Sequence, residues 1–396
     1  VSKLSVRDLR PGGSRVFVRV DYNVPLTETG GVGDDARVRA SLPTLEQLRD
    51  AGAKLVLASH LGRPKGGRDD SLSLRPVAVV LGDLLGTEVR MASDCIGDDV
   101  ADAARSLEAG EVLLLENLRF HAGETANDPD FARSLASLAD LYVNDAFGSS
   151  HRAHASVAGV PPLMPRAAAG LLLERETRAL GRLLGDDVRR PYVAVLGGAK
   201  VGDKIPLLEN LLPRVDTVII GGAMAYTFLA AGGTPIGASR LDRESLEVAG
   251  RILETAASRG VQLELPGDHV VAEAGRTEGP GRTCGGASID EGWQGLDIGP
   301  GTAERFAGIV SGAGTVLWNG PMGLFEIPPF DRGTRELARA IAASPAYSVV
   351  GGGDSAAAVR SFGLADRFDH VSTGGGAALE FLSGVTLPGV AALTDA

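Results

Sequence analysis

Arg37, Arg63, Arg119 and Arg152 each stand at or just beyond the end of a short apolar run, or open the helical pattern that follows one. Guanidinium forks grip phosphate and carboxylate oxygens bidentately and keep their charge. One such arginine is ordinarily half of a weak surface ion pair. Four in equivalent positions of consecutive units predict a site for a small molecule bearing phosphate and carboxylate groups. Asp21 and Asn23 are two residues apart, so they face one side of an extended chain. A carboxylate and an amide there suit substrate hydroxyls. His60 precedes Leu61-Gly62-Arg63, and His151 and His154 flank Arg152. They are candidate catalytic bases by residue type, but their expected work is to orient loops or bind phosphate oxygens. Ser59 and His60 are merely neighbours, and there is no Ser/His/Asp hydrolase pattern.

The second half offers backbone more than charge. Gly197-Gly198-Ala199-Lys200-Val201-Gly202-Asp203-Lys204 nearly matches a phosphate loop, but Asp203 stands where lysine belongs. Its glycines permit close backbone approach, and Lys200 and Lys204 are expected one helical turn apart. Gly351-Gly352-Gly353-Asp354-Ser355 and Thr373-Gly374-Gly375-Gly376 each join an apolar run to a helical pattern. The free N–H groups and positive dipole end of a helix favour phosphate. Asp354 suits a Mg²⁺ carried by nucleotide phosphates. As plain structure, Asp354 or Ser355 would be an N-cap. Gly221-Gly222 and Asn319-Gly320 are further strand-end turns. Together these loops predict a nucleotide site. The absence of GxGxxG argues against a dehydrogenase, and the absence of HRD and DFG against a protein kinase.

These residues need a scaffold that brings strand ends together. Near-continuous Val, Ile and Leu mark strands at Arg15–Val20, Lys54–Ser59, Val112–Leu115, Leu141–Val143, Tyr192–Leu196 and Thr217–Ile220. Others are Val261–Leu265, Thr315–Trp318, Tyr347–Val350 and His370–Ser372. Helical patterns alternate with them, as at Arg37–Asp50, Asp128–Leu138, Asp203–Leu212 and Thr302–Val310. Strand–helix alternation predicts α/β architecture: two doubly wound, Rossmann-like parallel sheets, with ligands beyond the carboxyl ends of the strands. Prolines near Pro161–Pro165 mark a boundary, and Leu171–Leu184 reads as a long connecting helix. The expected domains are 1–168 and 186–383, joined by a helix and hinge at 169–185.

The 396 residues carry a formal net charge of −11, which argues against a nucleic-acid partner. Any bound anion must be met by local positive charge. Cys95 and Cys284 have no metal-ligand or disulfide spacing and read as free thiols. No apolar leader or membrane-length run is evident, so a soluble, cytoplasmic protein without membrane partners is expected. Only five of the 39 basic residues are lysines. Under such an arginine bias, Lys200 and Lys204 in one loop stand out.

The segments together resemble phosphoglycerate kinase through nearly the whole chain. They are Arg19-Val20-Asp21-Tyr22-Asn23-Val24-Pro25-Leu26, Ser59–Pro64, Glu116–Phe120, Asn144–Phe147, Gly197–Val201 with Asp203-Lys204, Leu317–Gly323, Gly351–Asp354 and Ser372–Gly376. The resemblance implies reversible phosphoryl transfer between 1,3-bisphosphoglycerate with Mg-ADP and 3-phosphoglycerate with ATP. It assigns Asp21, Asn23, Arg37, His60, Arg63, Arg119 and Arg152 to the acid. It assigns Lys200, Lys204, Gly295, Asn319, Glu326 and Gly351, Gly352, Gly353, Asp354 and Ser355 to the nucleotide, with Glu326 on the ribose and Asp354 on Mg²⁺. It further implies a monomer whose tail, residues 384–396, returns to the first domain. Departures are small: Tyr22 for phenylalanine, Gly202 for serine, Gly267 for valine and Ser355 for threonine. Phosphoryl transfer rests on alignment and charge stabilisation. The expected catalytic set is Arg37, Lys200 and the N–H groups of Gly352, Gly353 and Gly375, completed by domain closure. Two rivals remain at this stage, a sensor for a phosphorylated acid and a kinase for another small carboxylic acid.

Overall fold

Apolar runs bounded by glycine and polar turns become strands because both faces of each are covered by helices. The computed structural model describes residues 2–64 and 67–396; Lys65 lies outside them. Two compact units result, Val1–Arg178 with Thr386–Ala396, and Ala179–Val385.

Unit 1 contains six parallel strands: β1 (Arg15–Arg19), β2 (Lys54–Ala58), β3 (Val89–Met91), β4 (Val112–Leu114), β5 (Leu141–Asn144) and β6 (Ala167–Ala169). Their order across the sheet is β3-β4-β2-β1-β5-β6. β1 therefore has β2 on one side and β5 on the other, which is a topological switch point. Val16, Val18, Leu55, Leu57 and Val143 pack with Val38, Leu45 and Leu48 of the helix Ala36–Asp50. The chain end closes this unit: Leu4 N donates to Thr394 O at 2.8 Å, and Asn144 Nδ2 donates to Gly389 O at 2.9 Å.

Unit 2 contains nine strands: β7 (Tyr192–Leu196), β8 (Thr217–Ile220), β9 (Gln262–Glu264), β10 (His269–Glu273), β11 (Arg282–Cys284), β12 (Trp293–Ile298), β13 (Thr315–Asn319), β14 (Tyr347–Gly351) and β15 (His370–Val371). Six form a parallel sheet in the order β15-β14-β13-β7-β8-β9. Its first strand again has neighbours from both directions, β8 and β13. Val193, Val195, Val316, Trp318 and Val350 pack against Phe306, Leu337 and Ile341 of two helices. β11-β10-β12 make a separate antiparallel sheet that the sequence pattern does not predict. Its outer strand, Arg282–Cys284, is polar and largely exposed, so no continuous apolar run marks it.

The helix Leu171–Leu184 begins in unit 1 and ends in unit 2. Among the described residues, no helix is long and apolar enough to cross a membrane.

Candidate functional site

In unit 1, the predicted arginines and their neighbours follow β4, β2, β1 and β5, which are adjacent in that order. Parallel strands put their carboxyl ends on one edge, so the loops meet there. Asp21 lies just past β1 and accepts from Arg37 Nη1 at 3.3 Å; the same nitrogen donates to Asn23 O at 3.1 Å. Asn23 Oδ1 accepts from Gly62 N at 2.8 Å. Gly62 O in turn accepts from Arg119 Nη1 at 2.6 Å. Gly62 sits at φ +63°, and a Cβ there would lie 2.7 Å from Leu72 Cδ2, so the turn that links Asn23 to Arg119 requires glycine. Arg119 Nε is buried without a hydrogen-bond partner. A buried guanidinium donor without a partner, with Arg19 and Arg63 near enough to act on its charge, suits an anion as its acceptor. Arg63 and Arg152 are exposed. Arg63 lies close enough to Arg119 to oppose its charge, and Arg152 Nε donates to His151 Nε2 at 2.9 Å.

Beneath this surface lies a residue set that the sequence reading did not assign. Arg19, the last residue of β1, is 0% exposed. It donates from Nε to Ser156 Oγ at 2.8 Å, and its Nη2 lies 3.2 Å from His60 Nδ1. Ser156 Oγ donates to Glu124 Oε1 at 2.6 Å, and that carboxylate also accepts from Ser156 N at 2.9 Å. One buried acid thus balances part of the positive cluster. The signal available in the sequence was a charged residue at an inward position of an otherwise apolar strand. Burial, then Arg19, Arg119 and Arg37, hold His60 well below the usual imidazole range. Burial followed by Arg119 and Arg19 pushes His154 down to about 4. Both rings are neutral at pH 7 and can offer hydrogen bonds to an anion.

In unit 2, the glycine loops follow β7, β8, β13 and β14, again adjacent strands. The glycines here let backbone approach backbone. Gly197 N donates to Asn319 O at 3.0 Å, Gly198 N to Pro321 O at 2.9 Å and Gly222 N to Met322 O at 3.0 Å. A Cβ on Gly197 would fall 2.1 Å from Pro321 O. Lys204 Nζ donates to Gly197 O. Burial lowers its pKa to about 8 against the opposing pull of Asp354 and Asp203. Asn319 is buried beneath the β14 turn, its Nδ2 3.2 Å from where a Cβ of Gly352 would be. Gly352, at φ +88°, caps the helix Gly353–Ser361, and Gly375, at φ +42°, caps Gly376–Leu382.

A cavity of about 400 Å³ opens beside these loops. Gly198, Gly222, Gly295, Leu324, Glu326 and Asp354 are among its lining residues. Gly295 N donates to Ser239 Oγ at 2.9 Å, and a Cβ there would meet Tyr226 OH at 2.0 Å. A larger open cleft of about 1000 Å³ involves Arg190, Asp216 and Thr217 at the opposite ends of β7 and β8, away from the glycine loops.

The family model described as Phosphoglycerate kinase matches residues 6–385. The chain belongs to the phosphoglycerate kinase family. It is 53% identical to the phosphoglycerate kinase of Moorella thermoacetica, with 100% of both chains covered. It is 55% identical to that of Anaeromyxobacter dehalogenans (strain 2CP-C), over 97% of each. The solved phosphoglycerate kinase structure from Coxiella burnetii superposes with a TM-score of 0.89 at 41% identity, covering 98% of each chain. That from Pyrococcus horikoshii OT3 gives 0.83 at 35% identity, also over 98% of each. The chain is thus a kinase, a phosphotransferase of glycolysis, with the two-sheet α/β fold of its relatives.

Within this family frame two local readings need correction. Lys200 and Lys204 do not share a helix face: Lys200 is an exposed loop residue, and Gly202–Lys204 is a 3-10 turn before the helix Ile205–Leu211. Pro206, without an N–H, fits the first turn and sets the helix start there. Neither Asp354 nor Ser355 caps its helix, since Gly352 holds that place. Ser355 turns inward, fully buried, and its Oγ accepts from Gly320 N. Asp354 stays exposed in the first helical turn, where its charge acts on Lys204. An exposed carboxylate in the first turn of a helix fits a hard divalent cation that keeps waters and phosphate oxygens as its other ligands.

Proposed function

We propose that residues 1–168 hold the phosphoglycerate and residues 186–383 hold the nucleotide in reversible transfer between 1,3-bisphosphoglycerate with ADP and 3-phosphoglycerate with ATP. The orphaned Arg119 Nε, amid cations at four adjacent strand ends, carries the first half of this reading. Arg37, Arg63, Arg119 and Arg152 bind the acid's phosphate and carboxylate oxygens, and His60 adds a neutral donor. Asp21 and Asn23 position its hydroxyl, though Asn23 Oδ1 is already engaged by Gly62, which leaves Nδ2 for substrate.

In the second half, Gly295 and Glu326 border the place of the nucleoside, with Glu326 on the ribose. Lys204, Asn319, Gly351 and Ser355 build the phosphate turn. Gly352, Gly353 and Gly375 direct N–H groups to phosphate oxygens. Asp354 would hold Mg²⁺ together with those oxygens, and the bound ion would neutralise phosphate charge. Arg37 and Lys200 stabilise the equatorial oxygens of the transferring group. The acceptor oxygen, carboxylate or phosphate, is already anionic, so no general base is needed. Water exclusion protects the reaction from hydrolysis.

The test is a coupled assay with 3-phosphoglycerate and Mg-ATP. ADP release that depends on the acid supports the reading. Its absence, with both ligands still bound, would favour a sensor. The same reading makes the chain a cytoplasmic monomer; sedimentation at assay concentration should give a single species of 40.8 kDa.

A further inference from the structure

Away from the arginine cluster, three side chains of different chemistry meet in unit 1. Asp94 and Cys95 lie in the loop between β3 and the helix Asp98–Arg105. His121 ends the 3-10 turn Leu118–Phe120, in the segment after β4. β3 and β4 are paired, so these loops leave the same edge side by side. His121 Nε2 lies 2.6 Å from Asp94 Oδ1. Cys95 Sγ donates to Glu116 O at 2.9 Å. The ligand atoms of all three residues lie within 4.8 Å of one another. Stacking on Phe131, with centroids 5.1 Å apart, holds the His121 ring.

We propose that Asp94, Cys95 and His121 form a binding site for a thiophilic divalent cation such as zinc, separate from the nucleotide's magnesium.

The donor set decides the metal class. A thiolate and an imidazole favour Zn²⁺, Co²⁺ or Cd²⁺, whereas Mg²⁺ prefers oxygen alone. Three protein ligands and one water complete a tetrahedron. Zinc–ligand bonds of roughly 2.0–2.3 Å put neighbouring ligand atoms about 3.3–3.8 Å apart, so separations that approach the 4.8 Å limit must shorten while the 2.6 Å Asp94–His121 pair must widen. The surroundings favour a cation. Glu116 and Glu124 add negative potential at Cys95, with Arg68 opposing. Those carboxylates disfavour the bare thiolate and reward a metal that neutralises it. Cys95 is 0% exposed, while Asp94 and His121 are open to solvent on one side, so the metal enters where their hydrogen bond now closes the site.

Binding is a proton-for-metal exchange. The Cys95 S–H bond breaks, its proton leaves to water and the sulfur pair forms the metal bond. The Asp94–His121 hydrogen bond breaks as well. The Nε2 proton that Asp94 accepts leaves to water and the ring keeps, or takes back from water, one proton on Nδ1; this frees the Nε2 pair for the metal, while Asp94 offers a carboxylate oxygen. The metal joins the β3 loop to the segment that carries Arg119.

The test uses the reduced full chain without oxygen, titrated with Co²⁺. The expected result is a near-ultraviolet thiolate-to-cobalt band that saturates at one equivalent and is displaced by Zn²⁺. Cys95→Ala, with fold checked by circular dichroism, should lose the band. Asp354→Asn should keep it. The exposed pair provides a check independent of the buried thiol: Asp94→Asn combined with His121→Gln should weaken cobalt binding at least about 100-fold. No band in the wild type, a band that survives Cys95→Ala, or unchanged affinity in the double variant would each overturn the site.

Discussion

The two units build their candidate sites from opposite materials. Unit 1 uses side chains locked to one another: Arg37 on Asp21, Asn23 on Gly62, Arg119 on Gly62, and Arg19 between His60 and Ser156. Unit 2 uses main chain, with Gly197, Gly222 and Gly320 packed so closely that side chains there are excluded. A side-chain site can lose one contact and keep its fold. A backbone site built on close approach loses its fold when the approach is blocked. The comparison teaches that glycine here is first a packing requirement and only through it a binding device.

The largest expected effect tests function in both units at once. Arg37→Ala and Lys200→Ala should each lower turnover by about 10²–10³-fold with folding intact, since each removes a charge that the proposed function assigns to the transferring group. Near-normal turnover in both would break the assignment. Gly222→Ala follows. Its φ of +63° and a Cβ 2.5 Å from Gly198 N should destabilise unit 2 by about 2–4 kcal/mol. Urea unfolding reads this directly, and an unchanged midpoint would erase the contrast between the units.

A smaller effect concerns Lys204, whose pKa burial lowers to about 8. Nucleotide phosphate favours its charged form, so affinity should fall up to about tenfold from about pH 7 to pH 9. Lys204→Met should be weaker throughout and flat across that window. The smallest effect lies in unit 1. His154 has its folded pKa lowered from 6.5 to about 4, so the unfolded chain binds more protons between those values. Stability should therefore fall as pH drops through that interval, with His60 acting in the same direction. His154→Gln should flatten part of the slope in pH-dependent unfolding.

The parallel sheets were legible in the sequence because their strands are apolar on both faces. Tyr192–Leu196 and Thr217–Ile220 form with the expected limits. β3 was not legible: Val89-Arg90-Met91 is a half-buried edge strand. β6 was not either, since Ala167–Ala169 has weak strand preference and depends on pairing with β5. In the candidate site, residue type exposed the arginines, but only the fold reveals that Arg19, Ser156 and Glu124 lie behind them. Likewise, the glycines were visible as a composition feature, while their contacts with Pro321 and Met322 depend on strand ends distant in sequence.

Calorimetric titration of each ligand into two variants tests the division of labour most directly. Arg119→Ala should lose at least about tenfold in affinity for 3-phosphoglycerate and keep its affinity for Mg-ATP. Lys204→Met should do the reverse. If either variant weakens both ligands alike, or Arg119→Ala binds the acid normally, the account of two units with two separate tasks is wrong.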